Sequence, residues 1–142
     1  MLNRRSVIRA LSSVTIFAVV AQASVCPNDY PERVEPGNWG GEHIGMVVSD
    51  TGAVIEYDCA AGAISVPLLL GSRGEFAWTG THSPGRGGPV RVDEPPNIHP
   101  ARYSGRVSGN NMTVTLTLDD NSQPPQSFTL VRGANASVFR CL

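Results

Sequence analysis

The chain has 142 residues, of which 41% are hydrophobic and 16% charged, with eleven arginines, no lysine and twelve acidic groups for a formal net charge of −1. Arginines scattered singly in a slightly acidic chain do not make the basic face that a nucleic-acid binder needs, so nucleic acid is not an expected partner. The length suits one ordinary domain with a single core.

The first segment has the order of an export signal. Arg4, Arg5 and Arg9 precede the apolar run Val14 to Val20, and Ala21-Gln22-Ala23 places small residues at −3 and −1, so residues 1–23 are expected to be a signal peptide cleaved after Ala23. The apolar run is about half the length that spans a bilayer, and no integral membrane segment is expected after cleavage. The pattern NRRSVIR also approximates a twin-arginine signal, with an ordinary basic leader as the alternative. Lipidation of Cys26 is not expected, because Val25 stands where a small residue is required. The expected location is outside the cytoplasm, periplasmic or secreted. Removing the leader leaves eight arginines against twelve acids.

Three cysteines remain, Cys26, Cys59 and Cys141, in a compartment that favours disulfides. Cys59 follows VIEYD and Cys141 follows SVFR, both strand-like, whereas Cys26 lies in a Pro-rich, charged stretch. A Cys59–Cys141 bridge is the expected pairing, and Cys26–Cys141 the alternative.

No long stretch carries helical periodicity. Short alternating segments punctuated by Gly, Asn, Asp and Pro predict an all-β fold, a small antiparallel up-and-down barrel of about eight strands with lipocalin- or avidin-like architecture. Residues 24–41 are expected to form an N-terminal extended segment and 42–142 the barrel domain. Strands are predicted near 42–48, 53–59, 63–69, 74–80, 102–108, 112–119, 126–132 and 137–142. In MTVTLTL, Met112, Val114, Leu116 and Leu118 share one face, and a Gly-Asn-Asn turn sets Val107 opposite Met112 and Tyr103 opposite Leu116. Phe76, Trp78, Phe128, Leu130, Phe139 and Cys141 are further expected inward positions.

The stretch WGGEHIGM raises the question of function, because it places an imidazole at the start of a strand. A turn through SDTG, with Gly52 in the left-handed region, sets Val48 opposite Ala53, Met46 opposite Ile55 and Ile44 opposite Tyr57. The same register sets His43 opposite Asp58. Simple alternation then puts Trp39, Gly41, Gly45 and Glu56 on that same outer face. A carboxylate beside an imidazole either orients a side chain structurally or prepares a base or metal ligand.

The connection Thr81 to Pro100, THSPGRGGPVRVDEPPNIHP, is too long for a hairpin and carries His82, Arg86, Arg91 and His99. The three histidines lack zinc spacing and no serine sits in a nucleophile elbow, so no metal and no cofactor are expected. The candidate ligand-binding residues are Trp39, His43, Asp58, His82 and Arg91. His43 and Asp58 are the only candidate catalytic pair.

NWGGEHIGM, IEYDCAAGAI, GGPVR, ARYSGRVSG and the terminal RCL together resemble a group of uncharacterised small exported bacterial β-barrel proteins. The resemblance covers nearly the whole mature chain and implies no activity. The likeness to lipocalins and avidin is architectural, carried by Trp39 after Pro36-Gly37-Asn38, and fold alone does not fix function. The leading expectation is a non-enzymatic exported barrel that binds a small molecule or protein partner through its mouth and the 81–100 loop. A small hydrolase or isomerase using His43 and Asp58 is the second, and a structural envelope or inhibitor protein the third. An open apolar cavity would favour the first, convergence of His43, Asp58 and His82 or Arg91 the second, and a filled interior the third.

Overall fold

The computed structural model describes residues 32–85 and 93–141. Residues 1–23, expected to be a signal peptide, lie outside them, as do Cys26, Arg86 and Arg91. Eight strands run β1 (Gly37–Gly41), β2 (Ile44–Ser49), β3 (Gly52–Tyr57), β4 (Ala60–Ile64), β5 (Glu75–Pro84), β6 (His99–Ser108), β7 (Asn111–Leu118) and β8 (Gln126–Arg132). Each pairs antiparallel with the next, and β8 returns to β1 to close the barrel. Among the described residues no helix is long and apolar enough to cross a membrane.

Alternation decides which side chains fill the barrel. Ile44, Met46, Ile55, Tyr103, Met112, Val114, Leu116 and Leu130 all lie below 2% exposure or close to it, while the threonines between them on β7 face outward. The predicted registers hold on both hairpins: Met46 faces Ile55 and Ile44 faces Tyr57, while Val107 faces Met112 and Tyr103 faces Leu116. Phe76 and Trp78 stack with ring centroids 3.7 Å apart. One end of the barrel is closed by the lead-in and the β4–β5 connection, where the Val34 amide donates to the Leu68 carbonyl at 3.0 Å and the Leu70 amide to the Glu32 carbonyl at 2.7 Å. Leu68 and Leu70 are buried there.

Several expectations are corrected. β1 lies within the stretch expected to be an extended lead-in. Its glycines have low strand propensity, but the pairing of Trp39 with Met46 across to β2 outweighs it. Trp39 is therefore inside the barrel, 2% exposed, rather than on the outer face. The turn Glu42–His43 interrupts the alternation, so Gly41 and His43 do not share a side. β4 is earlier and shorter than predicted, and the connection read as 81–100 shrinks to 85–98 because β5 and β6 pair as far as His82 with His99. Gly52 pairs with Ser49 and is not left-handed; glycine is needed there because a Cβ would strike the Ile64 carbonyl of β4.

The predicted last strand is instead a strap. The chain reverses at Gly133, with φ of 75°, and runs back over the outer faces of β1 and β2. A side chain at Gly40 would collide with Ala134 and one at Gly45 would meet the Ala136 Cβ at 2.7 Å, which is why those positions are glycine. The Ser137 amide donates to the Gly41 carbonyl at 3.0 Å and the His43 amide to the Ser137 carbonyl at 2.8 Å. The strap ends in the expected Cys59–Cys141 disulfide, with Cα atoms 5.0 Å apart across 82 residues of sequence.

Cys59→Ser should lower unfolding free energy by about 2–5 kcal/mol, from loss of a long cross-link. Gly45→Val should cost about 1–3 kcal/mol by lifting the strap from β2. Urea unfolding of both variants checks this, and a Gly45→Val protein as stable as wild type would show that the strap does not press on β2.

Candidate functional site: the strapped end of the barrel

Two-residue turns set the chemistry of this end. Glu42–His43 joins β1 to β2 and Asp58–Cys59 joins β3 to β4, with φ of 64° at His43 and 56° at Cys59. His43 Nδ1 donates to Asp58 Oδ2, so the expected neighbours do meet, although from adjacent turns rather than from within strands. The other carboxylate oxygen, Asp58 Oδ1, accepts the Phe139 amide at 2.7 Å, and the Cys59 amide donates to the Phe139 carbonyl at 3.1 Å. The Phe139 amide, helped by the His43 hydrogen bond, holds the Asp58 carboxyl below its ordinary range against an opposing desolvation larger than the His43 contribution. Asp58 thus fastens the strap, and His43 orients Asp58. His43 Nε2 lies 3.6 Å from Glu42 Oε1, and its ring sits 6.2 Å from that of Phe139.

Phe139, expected inward, is 67% exposed. It cannot turn into the core because the strap lies outside the barrel wall, and its backbone is tied on both sides to the β3–β4 turn. Beside it is a hollow of about 390 Å³ lined by Tyr57, Ala60, Pro84, Val138 and Phe139 among others. Ile98, at the end of the 85–98 connection, is also exposed.

His82 sits on the other side of the wall. It is 5% exposed, its ring meets the Tyr57 ring edge-on at 5.3 Å, and its Nδ1 has no hydrogen-bond partner. Burial, with a smaller contribution from His99, pushes the His82 pKa down and so favours the neutral ring. The Tyr57 hydroxyl lacks a well-aligned hydrogen-bond partner, the Tyr103 hydroxyl being its polar neighbour, and burial first, then Tyr103, pushes its pKa up. Tyr103 donates to the Thr81 carbonyl at 2.8 Å.

A second imidazole–carboxylate pair went unread in the sequence. His99 Nδ1 bonds Asp120 Oδ2 at 2.5 Å and His99 Nε2 lies 3.0 Å from Asn97 Oδ1. The His99 bond, helped by the Ser122 amide, draws the Asp120 carboxyl down to about 2. Extending the Tyr103–Leu116 register outward by four residues on each strand would have found it. The structure therefore brings His43 to Asp58 and His99 to Asp120. It does not bring His43 to His82, and it places Trp39 at the opposite end of the interior. Among the described residues no three His, Cys, Asp or Glu side chains are grouped to hold a metal ion.

What fold and site define is a closed eight-stranded barrel with a filled interior and one end clamped by a disulfide-anchored strap. No family model, no curated protein and no solved structure matches the chain.

Two acid-side steps in stability should follow. The His82 pKa is depressed, so its contribution is complete above the unfolded value near about 6.5 and is lost as pH falls through the folded one. Asp120 is depressed to about 2, so its contribution is present above the ordinary carboxylate value and lost as pH falls towards about 2. Urea unfolding as a function of pH should show His82→Leu flattening only the upper window and Asp120→Asn only the lower. A wild-type slope unchanged by either variant would overturn both assignments.

Proposed function

We propose that the protein is exported and works by docking a protein partner on the strapped end of its barrel. Phe139 is the observation that carries this reading. A large aromatic ring stands 67% exposed on a backbone fixed by Asp58, Cys59 and the Cys141 bridge. An exposed aromatic whose position is already fixed pays little ordering entropy on binding, which is the usual character of an interface anchor. The adjoining hollow, with Pro84 and Val138 on its walls, offers a partner side chain a complementary seat. Export is supported by the leader-like order of residues 1–23 and by a disulfide of the kind that persists in oxidising compartments.

The filled interior argues against a lipocalin-like ligand inside the barrel. Tyr103, Met112, Leu116 and Leu130 occupy the volume such a ligand would take. Catalysis by His43 and Asp58 is less favoured because the pair faces solvent and His82 is separated from it by the barrel wall. An inhibitor or envelope-scaffold role is the form of partner binding that this shape suits.

Photocrosslinking tests the reading. Benzoylphenylalanine in place of Phe139 should give a discrete protein adduct in the cell-envelope or secreted fraction, and the same group in place of Val54, on the outer face of β3, should not. Phe139→Ala should then weaken the captured complex about 30-fold or more while leaving the unfolding midpoint unchanged. Adducts at neither site, or equally at both, would reject the strapped end as the docking surface.

A further inference from the structure

The opposite end of the barrel carries a different chemistry. There the lead-in to β1, the β4–β5 connection, the β6–β7 turn and the end of β8 surround a hollow of about 270 Å³. Its apolar lining is Val34, Trp39, Leu70 and Val107, the first three at most 8% exposed. Its charged lining is Arg33, Arg73 and Arg132 with Glu32 and Glu35. Arg132 belongs to the inward-facing register of β8, opposite Trp39, so its guanidinium is delivered to the mouth rather than to the outer surface. Positive charge exceeds negative by one on the rim of this hollow, in a chain whose net charge is negative.

One carboxylate already occupies part of that rim. Glu35 Oε2 accepts from Arg132 Nη2 at 3.4 Å, a long bond made by a side chain that is itself 69% exposed. The Glu75 carboxyl accepts the Arg73 backbone amide at 3.0 Å and feels the Arg73 charge, but Glu75 does not line the hollow and makes no ion pair with the Arg73 guanidinium. No ion pair holds Arg33 among the described residues. The Trp39 indole N–H has only a 3.4 Å bond to the Glu35 carbonyl, so a buried donor is poorly satisfied at the apolar floor. The site thus combines a small apolar floor, a weakly used N–H donor and guanidinium groups of which one holds a loose, displaceable carboxylate.

We propose that this mouth binds a small organic carboxylate with a compact apolar body. The apolar group would pack on Trp39, Leu70 and Val107, and the carboxylate would take over from Glu35 at Arg132 with Arg33 and Arg73 nearby. Arginine suits the task because its planar fork matches a carboxylate, and mouths of barrels are common ligand sites. The proposal is independent of partner docking at the strapped end, since the two share no residue.

Amide and indole NMR of the full chain, titrated with phenylacetate, tests it. Saturable shifts should appear at the Trp39 indole N–H and at residues lining the hollow such as Leu70, Gly74, Val107 and Gly109, with signals from the strapped end unmoved. Arg132→Gln should weaken the apparent affinity about tenfold, as expected for loss of a charge-assisted contact, and Glu35→Gln should tighten it by removing the resident competitor. Unchanged signals elsewhere in each variant will show the barrel intact. 2-Phenylethanol, which keeps the ring and lacks the charge, should not saturate over the same range. Absence of saturable shifts, equal binding of the alcohol, equal binding of inorganic sulfate, or indifference to Arg132→Gln and Glu35→Gln would each overturn the proposal.

Discussion

The seam between β1 and β8 is the constraint around which the rest of the molecule is arranged. Only two residue pairs close it, Trp39 with Arg132 and Gly40 with Val131, whereas β5–β6 and β6–β7 each run eight pairs. An edge left so thinly paired invites opening or pairing with another chain. The strap answers this by leaving β8, crossing the outer faces of β1 and β2, and ending at the β3–β4 turn. It turns a two-pair seam into a splint of backbone hydrogen bonds, one carboxylate and one disulfide. The stretch WGGEHIGM makes sense in those terms. Trp39 packs inside, Gly40 and Gly45 leave room for the strap, and His43 bends the chain and steadies the Asp58 carboxylate that receives it.

The strong period-two signals were legible in the sequence, and what depended on them was read correctly. The alternation of Met112, Val114, Leu116 and Leu118 defined a core face, and matching apolar partners fixed two hairpin registers to the residue. The His43–Asp58 contact came from one of those registers, and the Cys59–Cys141 bridge from the strand-like segments preceding each thiol. The failures cluster where period two stops. Three of the five residues of β1 are glycine, and it declares itself only through its partner. The final segment alternates like a strand, yet its alternating residues include Phe139 in solvent, because backbone pairing at Ser137 is with a turn and not with a sheet edge. Sequence periodicity reports that one side of a segment is covered, and a strap lying on an outer wall satisfies that as well as a strand does. Phe139 was therefore placed in the core when its chemistry belongs at the surface.

The filled interior has a functional consequence that the fold class alone does not carry. Barrels of eight strands are near the size at which side chains can either fill the lumen or leave room for one ligand. Here Tyr103, Phe76 and Trp78 tip the balance towards filling, which is why both proposals place recognition at the two ends. Those ends differ in kind. The strapped end is covalently braced and presents an aromatic ring beside a hollow of mixed lining, with Pro84 and Val138 next to Glu56 and Arg140. The other is held by main-chain hydrogen bonds from Glu32 and Val34 to the Leu68–Leu70 segment and presents guanidinium groups above a buried indole.

Stability is distributed unevenly beneath those ends. Among the described residues, the buried polar side-chain atoms without a close hydrogen-bond partner, His82 Nδ1 and the Tyr57 hydroxyl, lie immediately inside the strapped end. A polar group left desolvated and unpaired costs about 1–3 kcal/mol, a cost that the neighbouring Tyr103 hydroxyl lessens for Tyr57. The opposite half of the interior, around Met112, Leu130 and the Phe76–Trp78 stack, has no wholly unpartnered buried side-chain polar atom among the described residues, the Trp39 indole N–H keeping its long 3.4 Å bond to the Glu35 carbonyl. A disulfide placed at the more polar end therefore reinforces the part of the barrel whose packing is least favourable on its own. The same placement explains why the docking candidate Phe139 can be rigid although it lies on a terminal segment: its order comes from Asp58 and Cys141, and not from burial of the ring.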